Sequence, residues 1–560
     1  MTTGTGSGES KVARHERIKG SVNPWEALES ILSGADQGAE GVSKEDLDVR
    51  TRWWGVYPQG DGLGVRGGGT AFFMVRIRIP GGRLTASQFR TIGRLSNLYA
   101  RGTADITVRQ NIQFHWVRPE DLRPLFQELW NAGLTTQGAC GDDTRNMTSC
   151  PVSDLISEER SLDQALLEET NGALNGNPLF YNLPRKFKIT FAGCPCGCTY
   201  PEINDVGILP VHHPEHGEGY ALRAGGGLAT RPHLSLLLPR FFRADKIVPA
   251  LLSIATLFRD RDELRTSRER ARLKFLFLEH GWTVDSFTRE MERILGAALP
   301  DLDPVRPASF VGRVDRDHLG FHPQKTGGLF FAGLSIPQGV LEPGRIETIA
   351  TWAETFGNGE VRLTPQQNLV LPGISEDKRP LLEAVLLASG KSELRPDFRS
   401  RTVSCTGKTF CRLALAETKE LGHALAQTLD REFRDLPTVP YVHLSGCPND
   451  CGQMRIADIG LSGIQGKNGD HGTEDGFELL LGGRMQGELT FNRRTGVKLL
   501  KDQVAPFLSR VLAFYHGACR DGEDFRSFVD RVGLDWVAIL EKGTPEELEL
   551  FATSLSGGDR

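Results

Sequence analysis

Apolar and polar positions follow two regular periods early in the chain, and each period predicts a type of element. Residues 70–80 alternate between the two kinds, as a half-buried strand does. Residues 85–98 repeat apolar side chains at helical spacing, at Phe89, Ile92, Leu95 and Leu98. The same criteria predict a strand region at 105–117 and helices at 120–132, 24–32 and 44–49. Residues 1–22, rich in glycine, serine and charge, are expected to be flexible.

The strand–helix–strand–helix order recurs in the second half of the chain at a constant separation of 257 residues. Identical residues occupy both positions in strands and helices alike. These pairs are Phe73 and Phe330, Ile79 and Ile336, Pro80 and Pro337, Gly82 and Gly339, Thr107 and Thr364, Gln110 and Gln367, and Asn111 and Asn368. One separation that holds across both kinds of element indicates an internal duplication.

A second pair of segments repeats at a separation of 253 residues. Its matching residues are Gly193, Cys194, Pro195 and Cys198 in the first copy and Gly446, Cys447, Pro448 and Cys451 in the second. The chain therefore contains two related halves, each a small α+β unit followed by a larger one. Ligand sites form preferentially at interfaces between such units.

Four cysteines of the second half fall in two short motifs. Five residues separate Cys405 from Cys411, and three separate Cys447 from Cys451. Thiolates grouped in this way select zinc or an iron–sulfur cluster over hard cations. Zinc motifs usually have a narrower first spacing, so this pattern favours a cubane cluster held by four thiolates. Disulfides are the alternative, although nothing else in the chain indicates an oxidising compartment.

The first half differs at the corresponding places. Cys140 stands where Cys405 would fall, but position 146 is asparagine. Basic residues are present instead: Arg145, Lys186 and Lys188. One half thus carries ligands for a metal centre, and the other carries cations suited to an anion.

Composition narrows the classes of partner. The chain has 560 residues and a formal net charge of −5, which does not suggest nucleic acid. No apolar run is long enough to span a bilayer, and the first residues lack the apolar segment of a secretory signal. The ten cysteines are clustered, as in metalloproteins of reducing compartments. We therefore expect a cytoplasmic, multidomain protein with no nucleic-acid or membrane partner.

These residues together resemble the siroheme- and iron–sulfur-dependent assimilatory sulfite and nitrite reductases. The resemblance extends from about residue 52 to the C-terminal helices, and its motifs are CTGKTFC, GCPNDCGQ, FFMVRIRIPGG, TVRQNIQ, GDDTRN and LPRKFK. It implies an α+β fold with two ferredoxin-like half-domains and two larger mixed α/β domains. The expected boundaries are 1–50 for a flexible N-terminus and leading helices, 51–135 and 311–395 for the half-domains, and 136–310 and 396–560 for the larger domains.

The resemblance also assigns the cofactor ligands. It implies that Cys405, Cys411, Cys447 and Cys451 hold a [4Fe–4S] cluster, and that Cys451 also binds the siroheme iron as its axial thiolate.

Siroheme is fringed by carboxylates, which need cationic or N–H donors when they are buried. We assign Arg109 and Gln113 to these carboxylates, with Arg185, Lys274 and Asn449 as further candidates. Without the resemblance, Arg109 would be an ordinary solvated charge at a strand end.

Four cations are expected to converge on the open face of the siroheme: Arg76, Arg145, Lys186 and Lys188. Lys186 and Lys188 are two residues apart, so both side chains project from one face of a strand. Arginine suits the binding of an anion, and a buried lysine also suits proton donation. An exposed strand face is the alternative for the two lysines.

The Lys-x-Lys spacing resembles the sulfite-reducing members, so we expect six-electron reduction of sulfite to sulfide with electrons from ferredoxin. Reduction of nitrite to ammonia is the alternative, because the residues after Cys451 resemble nitrite reductases equally well. A non-catalytic iron–sulfur electron carrier is a more distant alternative. No flavin or nicotinamide fingerprint is present. Basic residues proposed for ferredoxin docking are Arg412, Lys419, Arg455 and Lys467.

Five other cysteines lie in the first half: Cys140, Cys150, Cys194, Cys196 and Cys198. A second metal site is one interpretation of this group. We expect buried structural thiols instead, because unligated buried cysteines are common in protein cores.

Overall fold

The computed structural model describes residues 9–59, 72–156, 164–193, 197–303, 317–388, 394–467, 473–484 and 490–556. Cys194 and Cys196 lie outside these ranges. Its helices are α1 (Lys11–Ser21), α2 (Pro24–Ala35), α3 (Lys44–Asp48), α4 (Ala86–Tyr99), α5 (Leu122–Asn131), α6 (Ser153–Ile156), α7 (Gln164–Leu174), α8 (Ala244–Arg259), α9 (Phe275–Glu279), α10 (Val284–Leu295), α11 (Arg345–Thr355), α12 (Arg379–Ala388), α13 (Phe398–Arg401), α14 (Lys419–Glu432), α15 (Val504–Ala518), α16 (Phe525–Val532), α17 (Asp535–Lys542) and α18 (Pro545–Ser556).

The strands of the two small units are β1 (Val56–Gln59), β2 (Phe72–Ile77), β3 (Arg83–Thr85), β4 (Ala104–Ile106), β5 (Ile112–Val117), β11 (Gly320–Pro323), β12 (Leu329–Leu334), β13 (Val340–Leu341), β14 (Glu360–Leu363) and β15 (Leu369–Ser375). Those of the two larger units are β6 (Thr148–Ser149), β7 (Ile189–Phe191), β8 (Val206–His213), β9 (Gly217–Ala224), β10 (Leu236–Phe242), β16 (Thr402–Ser404), β17 (Val442–Ser445), β18 (Ile459–Lys467), β19 (Thr473–Leu481) and β20 (Arg493–Leu500).

The two small units exchange strands. The first sheet has the order β1-β2-β5-β4-β13, so it ends on a strand from the second half. The second sheet has the order β11-β12-β15-β14-β3, so it ends on a strand from the first half. Their helices α4 and α11 pack together, and one continuous apolar core runs through both units. The duplicated units therefore form one structural body.

Each larger unit contains one five-stranded sheet with the same topology. The orders are β6-β7-β8-β9-β10 and β16-β17-β18-β19-β20. In both sheets the first three strands are parallel and the remaining neighbours are antiparallel. Because the carboxyl ends of parallel strands meet at one edge, this edge brings together loops that are distant in sequence.

The predicted α+β architecture with two small and two larger units is confirmed. The predicted strand region at 105–117 is in fact two strands, β4 and β5. A turn between them is closed by hydrogen bonds from Gln110 N to Thr107 O and from Thr107 N to Asn111 O. Gln110 has a φ of 55°, which a continuous strand does not allow. Leu98, predicted on the apolar face of α4, is 60% exposed.

The expectation of flexible chain at residues 1–22 is wrong for residues 11–21, which form α1. The helix is polar, and its own sequence gives no reason to predict it. Its Lys19 is only 1% exposed and lies 3.4 Å from Asp142. A long-range charge partner therefore holds a segment that local composition marks as flexible.

Among the described residues, no helix combines the length and the apolar character that crossing a membrane requires.

Candidate active site

The four cysteines of the second half lie at the parallel edge of their sheet. β16 ends directly before Cys405, and β17 ends two residues before Cys447. These strands are parallel neighbours, so both cysteine loops start at the same edge. The charge on Cys451 acts on the other three thiols: Cys405, Cys411 and Cys447. The structure thus brings all four predicted ligands together.

The loop from Cys447 to Gln453 turns tightly. Asp450 and Gln453 adopt positive φ angles of 56° and 61°. A Cβ at Gly452 would lie 2.1 Å from the carbonyl oxygen of Leu444, so only glycine fits there. This close approach fixes where the chain leaves Cys451, the most exposed of the four ligands.

Backbone and side-chain donors surround the thiols. The N–H of Gly446 donates to Cys405 Sγ at 3.2 Å, and Thr418 Oγ1 lies 3.7 Å from the same sulfur. Asn449 forms hydrogen bonds to the Cys447 thiol through its backbone and its side chain. Such bonds to sulfur stabilise thiolates in clusters and tune their potential.

Burial raises the pKa of the Cys405, Cys411 and Cys447 thiols to about 11. Cluster ligands must be thiolates, so uptake of a cluster here releases protons. Four converging thiols with N–H donors fit a [4Fe–4S] cluster.

The predicted lysine pair lies in the first half of the chain, just before β7. Between the two lysines, Phe187 is completely buried and its ring stacks on Phe258 with centroids 5.7 Å apart. The alternation therefore directs Lys186 and Lys188 to the other face. The charges that act on the Lys186 ammonium include those of Cys451 and Arg145, so the lysine faces both halves of the molecule.

Burial and then the charge of Arg272 lower the pKa of Lys186 to about 7. Burial and the charge of Lys186 hold the pKa of Lys188 well below its usual value. No carboxylate in the described ranges forms an ion pair with either ammonium. The pair therefore fits an anion, which would stabilise the charged ammonium.

Arg76 and Arg145 are the other two cations predicted for this site. Arg76 donates to Gln113 Oε1 at 2.9 Å and to Cys140 Sγ at 2.9 Å. Arg145 donates to the carbonyls of residues 141 and 139 at 3.0 and 3.3 Å. The neighbouring Arg78 is only 1% exposed and donates to the carbonyl of residue 144 and the side chain of residue 171. Arg76, not Arg78, therefore faces the pocket.

Gln113 connects the two sides of the site. Its Oε1 accepts from Arg76, and its Nε2 donates to Thr406 Oγ1 at 3.5 Å, next to the predicted ligand Cys405. The buried amide of Gln113 therefore links Arg76 to the loop that begins at Cys405.

Arg109 projects from the turn between β4 and β5. It donates to Asn204 Oδ1 at 2.7 Å and to Ile189 O at 3.2 Å. Its Nε is buried without a hydrogen-bond partner in the part of the chain that the structure describes. Burial and the charge of Arg145 lower the pKa of Arg109 to about 9. An unpaired buried N–H of this kind fits a carboxylate of the expected siroheme.

The weaker siroheme candidates have other partners. Arg185 lies 3.3 Å from Asp142. Lys274 donates to four backbone carbonyls of residues 227–231, at 2.6 to 3.3 Å. Asn449 bonds the Cys447 thiol. In the described chain these three side chains therefore bind protein groups.

Sequence reasoning missed Tyr57 and Asp142. Burial, followed by the nearby charge of Cys140, raises the pKa of Tyr57, and Arg145 acts on the same phenol. Asp142 is 4% exposed, forms a hydrogen bond with His15, and forms ion pairs with Lys19, Arg185 and Arg268. The motif GDDTRN contains Asp142, but its partners come from distant segments, so no local pattern marks it.

Comparison with known proteins gives two family models, each of which matches the chain twice. The nitrite/sulfite reductase ferredoxin-like half domain matches residues 65–132 and 322–389. The nitrite and sulphite reductase 4Fe-4S domain matches residues 140–298 and 397–541. The repeated matches agree with the duplication of sheets and motifs.

Relatives carry both substrate names. The chain is 34% identical over 534 residues to sulfite reductase (ferredoxin) 1 of Mycolicibacterium paratuberculosis, covering 92% of this chain and 94% of the relative. It is 34% identical over 484 residues to ferredoxin–nitrite reductase of Synechococcus elongatus, covering 85% and 91%.

A solved structure, that of the Mycobacterium tuberculosis NirA protein, is similar with a TM-score of 0.86 and 32% identity. The match covers 94% of this chain and 97% of that one. The chain therefore belongs to the nitrite and sulfite reductase family, oxidoreductases that carry siroheme and a [4Fe–4S] cluster.

Proposed function

We propose that this enzyme reduces sulfite to sulfide, taking six electrons from reduced ferredoxin. One sulfite dianion, six electrons and eight protons give hydrogen sulfide and three waters, so the site must bind an anion and supply protons. The observation that carries the proposal is Lys186, whose ammonium faces Cys451 and Arg145 and has no carboxylate partner in the described chain.

The cofactors supply the electrons and an open iron coordination position when they are bound. Cys405, Cys411, Cys447 and Cys451 would hold the cluster, with Cys451 shared with the siroheme iron. Arg109 and Gln113 would bind siroheme carboxylates.

Arg76, Arg145, Lys186 and Lys188 would bind the anion and orient it. Because arginine stays charged while the pKa of Lys186 is about 7, we assign proton donation to the lysines.

Sulfite is favoured over nitrite by the second lysine. Sulfite carries one more negative charge than nitrite and has a third oxygen, and Lys188 adds a second ammonium beside Lys186. Nitrite reduction to ammonia remains the second candidate, since the nitrite-reducing relative is as similar to this chain as the sulfite-reducing one. A non-catalytic electron carrier would have no use for four half-buried cations.

Steady-state kinetics with both anions tests the substrate. We expect wild-type kcat/KM to favour sulfite, and Lys188→Asn to shift the sulfite-to-nitrite ratio at least about tenfold towards nitrite, because one ammonium–oxyanion contact is lost. The matched control is Lys246→Arg on α8, an exposed lysine outside the pocket. A wild-type enzyme that already prefers nitrite would contradict the assignment of sulfite.

The ferredoxin surface is proposed near Cys411. Among the suggested docking residues, Arg412 is exposed directly beside that ligand. Lys419 lies 3.3 Å from Asp105 and Arg455 is half-buried, so neither offers an open charge, and the side chain of Lys467 lies outside the description.

We expect Arg412→Glu to raise the KM for ferredoxin about tenfold and to leave the rate with reduced methyl viologen unchanged, because only the protein donor uses the docking charge. Arg289→Glu, an exposed arginine on α10, is the control. Equal losses with both donors would contradict a docking role.

A further inference from the structure

A second group of metal-ligating side chains lies outside the active site. The ligand atoms of Cys150, Cys198 and His318 all fall within 4.8 Å of one another. The three residues are 1%, 0% and 6% exposed. Two thiols and an imidazole thus converge in the protein interior.

The two thiols occupy the parallel edge of the first large sheet. Cys150 directly follows β6, and Cys198 lies in the loop after β7. β6 and β7 are parallel neighbours, as β16 and β17 are at the cluster. Cys198 is also the counterpart of Cys451 in the duplication. The first half therefore retains the strand geometry that gathers thiols in the second half.

The imidazole comes from the other half of the molecule. His318 lies two residues before β11 and has a φ of 55°, which is uncommon for a residue other than glycine. Its neighbour Asp317 is anchored by Arg401, with 2.9 Å between Nε and the carboxylate. A Cβ at Gly333 would lie 1.8 Å from the His318 carbonyl oxygen, so the backbone is closely packed. Strained backbone of this kind is concentrated at functional sites.

A buried glutamine side chain lies beside the group formed by Cys150, Cys198 and His318. Gln366 is 2% exposed, and its Nε2 donates to the carbonyl of Cys198 at 3.2 Å. Its Oε1 is buried with no hydrogen-bond partner within the described residues. A buried acceptor of this kind fits a water molecule that takes the fourth position of a metal ion.

The donor set selects the metal. Two sulfurs and one imidazole suit zinc, whereas magnesium and calcium require oxygen ligands. In tetrahedral zinc sites the metal lies about 2.3 Å from sulfur and about 2.0–2.1 Å from nitrogen. Ligand atoms around such an ion are under 4 Å apart, and the observed grouping needs only a small contraction to reach this spacing. The three described ligand atoms do not supply the four thiolates that a cubane cluster takes, so they favour a single ion.

We propose that Cys150, Cys198 and His318 bind one zinc ion, which joins the first large domain to the second ferredoxin-like half-domain. The site is separate from the four cluster cysteines, and the proposal does not depend on which anion is reduced. Binding releases the thiol protons and involves no change of oxidation state. This proposal replaces the expectation that the first-half cysteines bind no metal.

Elemental analysis of the holoenzyme tests the proposal. Protein purified without chelator and supplied with zinc sulfate should retain about one zinc per chain after desalting, in addition to its iron. His318→Ala and Cys198→Ser should each lose that zinc while the siroheme absorption persists. Cys519→Ser, which changes a half-buried cysteine at the end of α15, should retain it. Zinc below about one tenth of an equivalent in the wild type, or full retention by His318→Ala, would overturn the site.

X-ray absorption at the zinc edge keeps the test independent of how the variants fold. Wild-type protein should show two sulfur neighbours at about 2.3 Å and at least one nitrogen at about 2.0 Å. A first shell of oxygen and nitrogen alone would overturn the proposal. A disulfide between Cys150 and Cys198, seen as a peptide pair lighter by two hydrogens, would overturn it as well.

Discussion

Lys186 and Lys188 have the same side chain as the lysines on the surface, but their surroundings give them different chemistry. An exposed lysine stays charged at neutral pH and its ion pairs contribute little. Half-buried beside Arg272 and Arg145, Lys186 has its pKa lowered to about 7, where it can both hold an anion and release a proton. The surroundings of Lys186 make it a candidate proton donor, which an exposed lysine is not.

This pKa predicts a pH dependence. Lys186 is charged below its pKa and neutral above it, so kcat/KM should fall as the pH rises past about 7. The anionic cofactor stabilises the ammonium, so the decline begins at or above that pH. Lys186→Arg should reduce kcat at least about 100-fold, because arginine does not donate the proton, and should abolish the decline. This pH profile is best measured with nitrite as the substrate, since the charge of nitrite does not change between about pH 6 and 9.

The control for this profile is Lys246→Arg, which should keep the wild-type curve. If Lys186→Arg retains both the full rate and the alkaline decline, the proton donor is another group.

At the scale of elements, the packing of α1 involves one buried carboxylate, that of Asp142. Asp142 binds Lys19 and His15 of this helix and also Arg268. Burial raises the pKa of this carboxyl, but the hydrogen bond with His15 and the charges of Arg268 and Lys19 outweigh it and hold the pKa well below its usual value. Asp142 is therefore one of the groups that hold α1 against the first large unit.

We expect Asp142→Asn to lower the free energy of unfolding by about 3–5 kcal/mol, since it removes a buried carboxylate that pairs with Lys19, Arg185 and Arg268. Glu16 remains beside Lys19 in this variant. Hydrogen exchange should increase selectively in α1. Asp48→Asn, which breaks the exposed pair with Arg14, is the control and should cost less than about 1 kcal/mol.

The stabilisation by Asp142 is fully present above about pH 4 and is lost as the pH falls towards the lowered pKa of the carboxyl. The difference between wild type and Asp142→Asn should shrink over that acidic range. Unchanged exchange in α1 would contradict the anchoring role.

At the scale of the whole molecule, the half-domains are inseparable because each completes the sheet of the other. The helix pair α4 and α11 closes this body, and Gly93 allows their close contact. A Cβ at Gly93 would lie 2.9 Å from Ile346 Cγ2.

Gly93→Val should therefore force the two helices apart and lower the free energy of unfolding by about 1–3 kcal/mol, measured by denaturant unfolding. Gly172→Ala in α7 is the matched control. Nothing lies within 4 Å of the added Cβ there, and alanine favours the helix by up to about 1 kcal/mol. Equal stability of the Gly93 variant and the wild type would show that the interface tolerates separation.

The sequence alone determined the duplication, the cysteine motifs and the family. Hydrophobic period is a local property, so strand β2 and helix α4 were predicted within a few residues. Metal-ligand spacing is also local within each motif. The four thiols and the lysine pair could be named because each group lies within a short stretch and its chemistry is specific.

Only the tertiary structure decided which of these residues meet. Thr107–Asn111 forms a turn that breaks a predicted strand and directs Arg109 into the site. Asp142 pairs with Lys19 of the polar helix α1. His318, from the second half, lies beside two thiols of the first half. The contacts of Asp142 and His318 join residues far apart in sequence. Periodicity and composition do not record such pairings, because burial and charge complementarity arise only once the chain has folded.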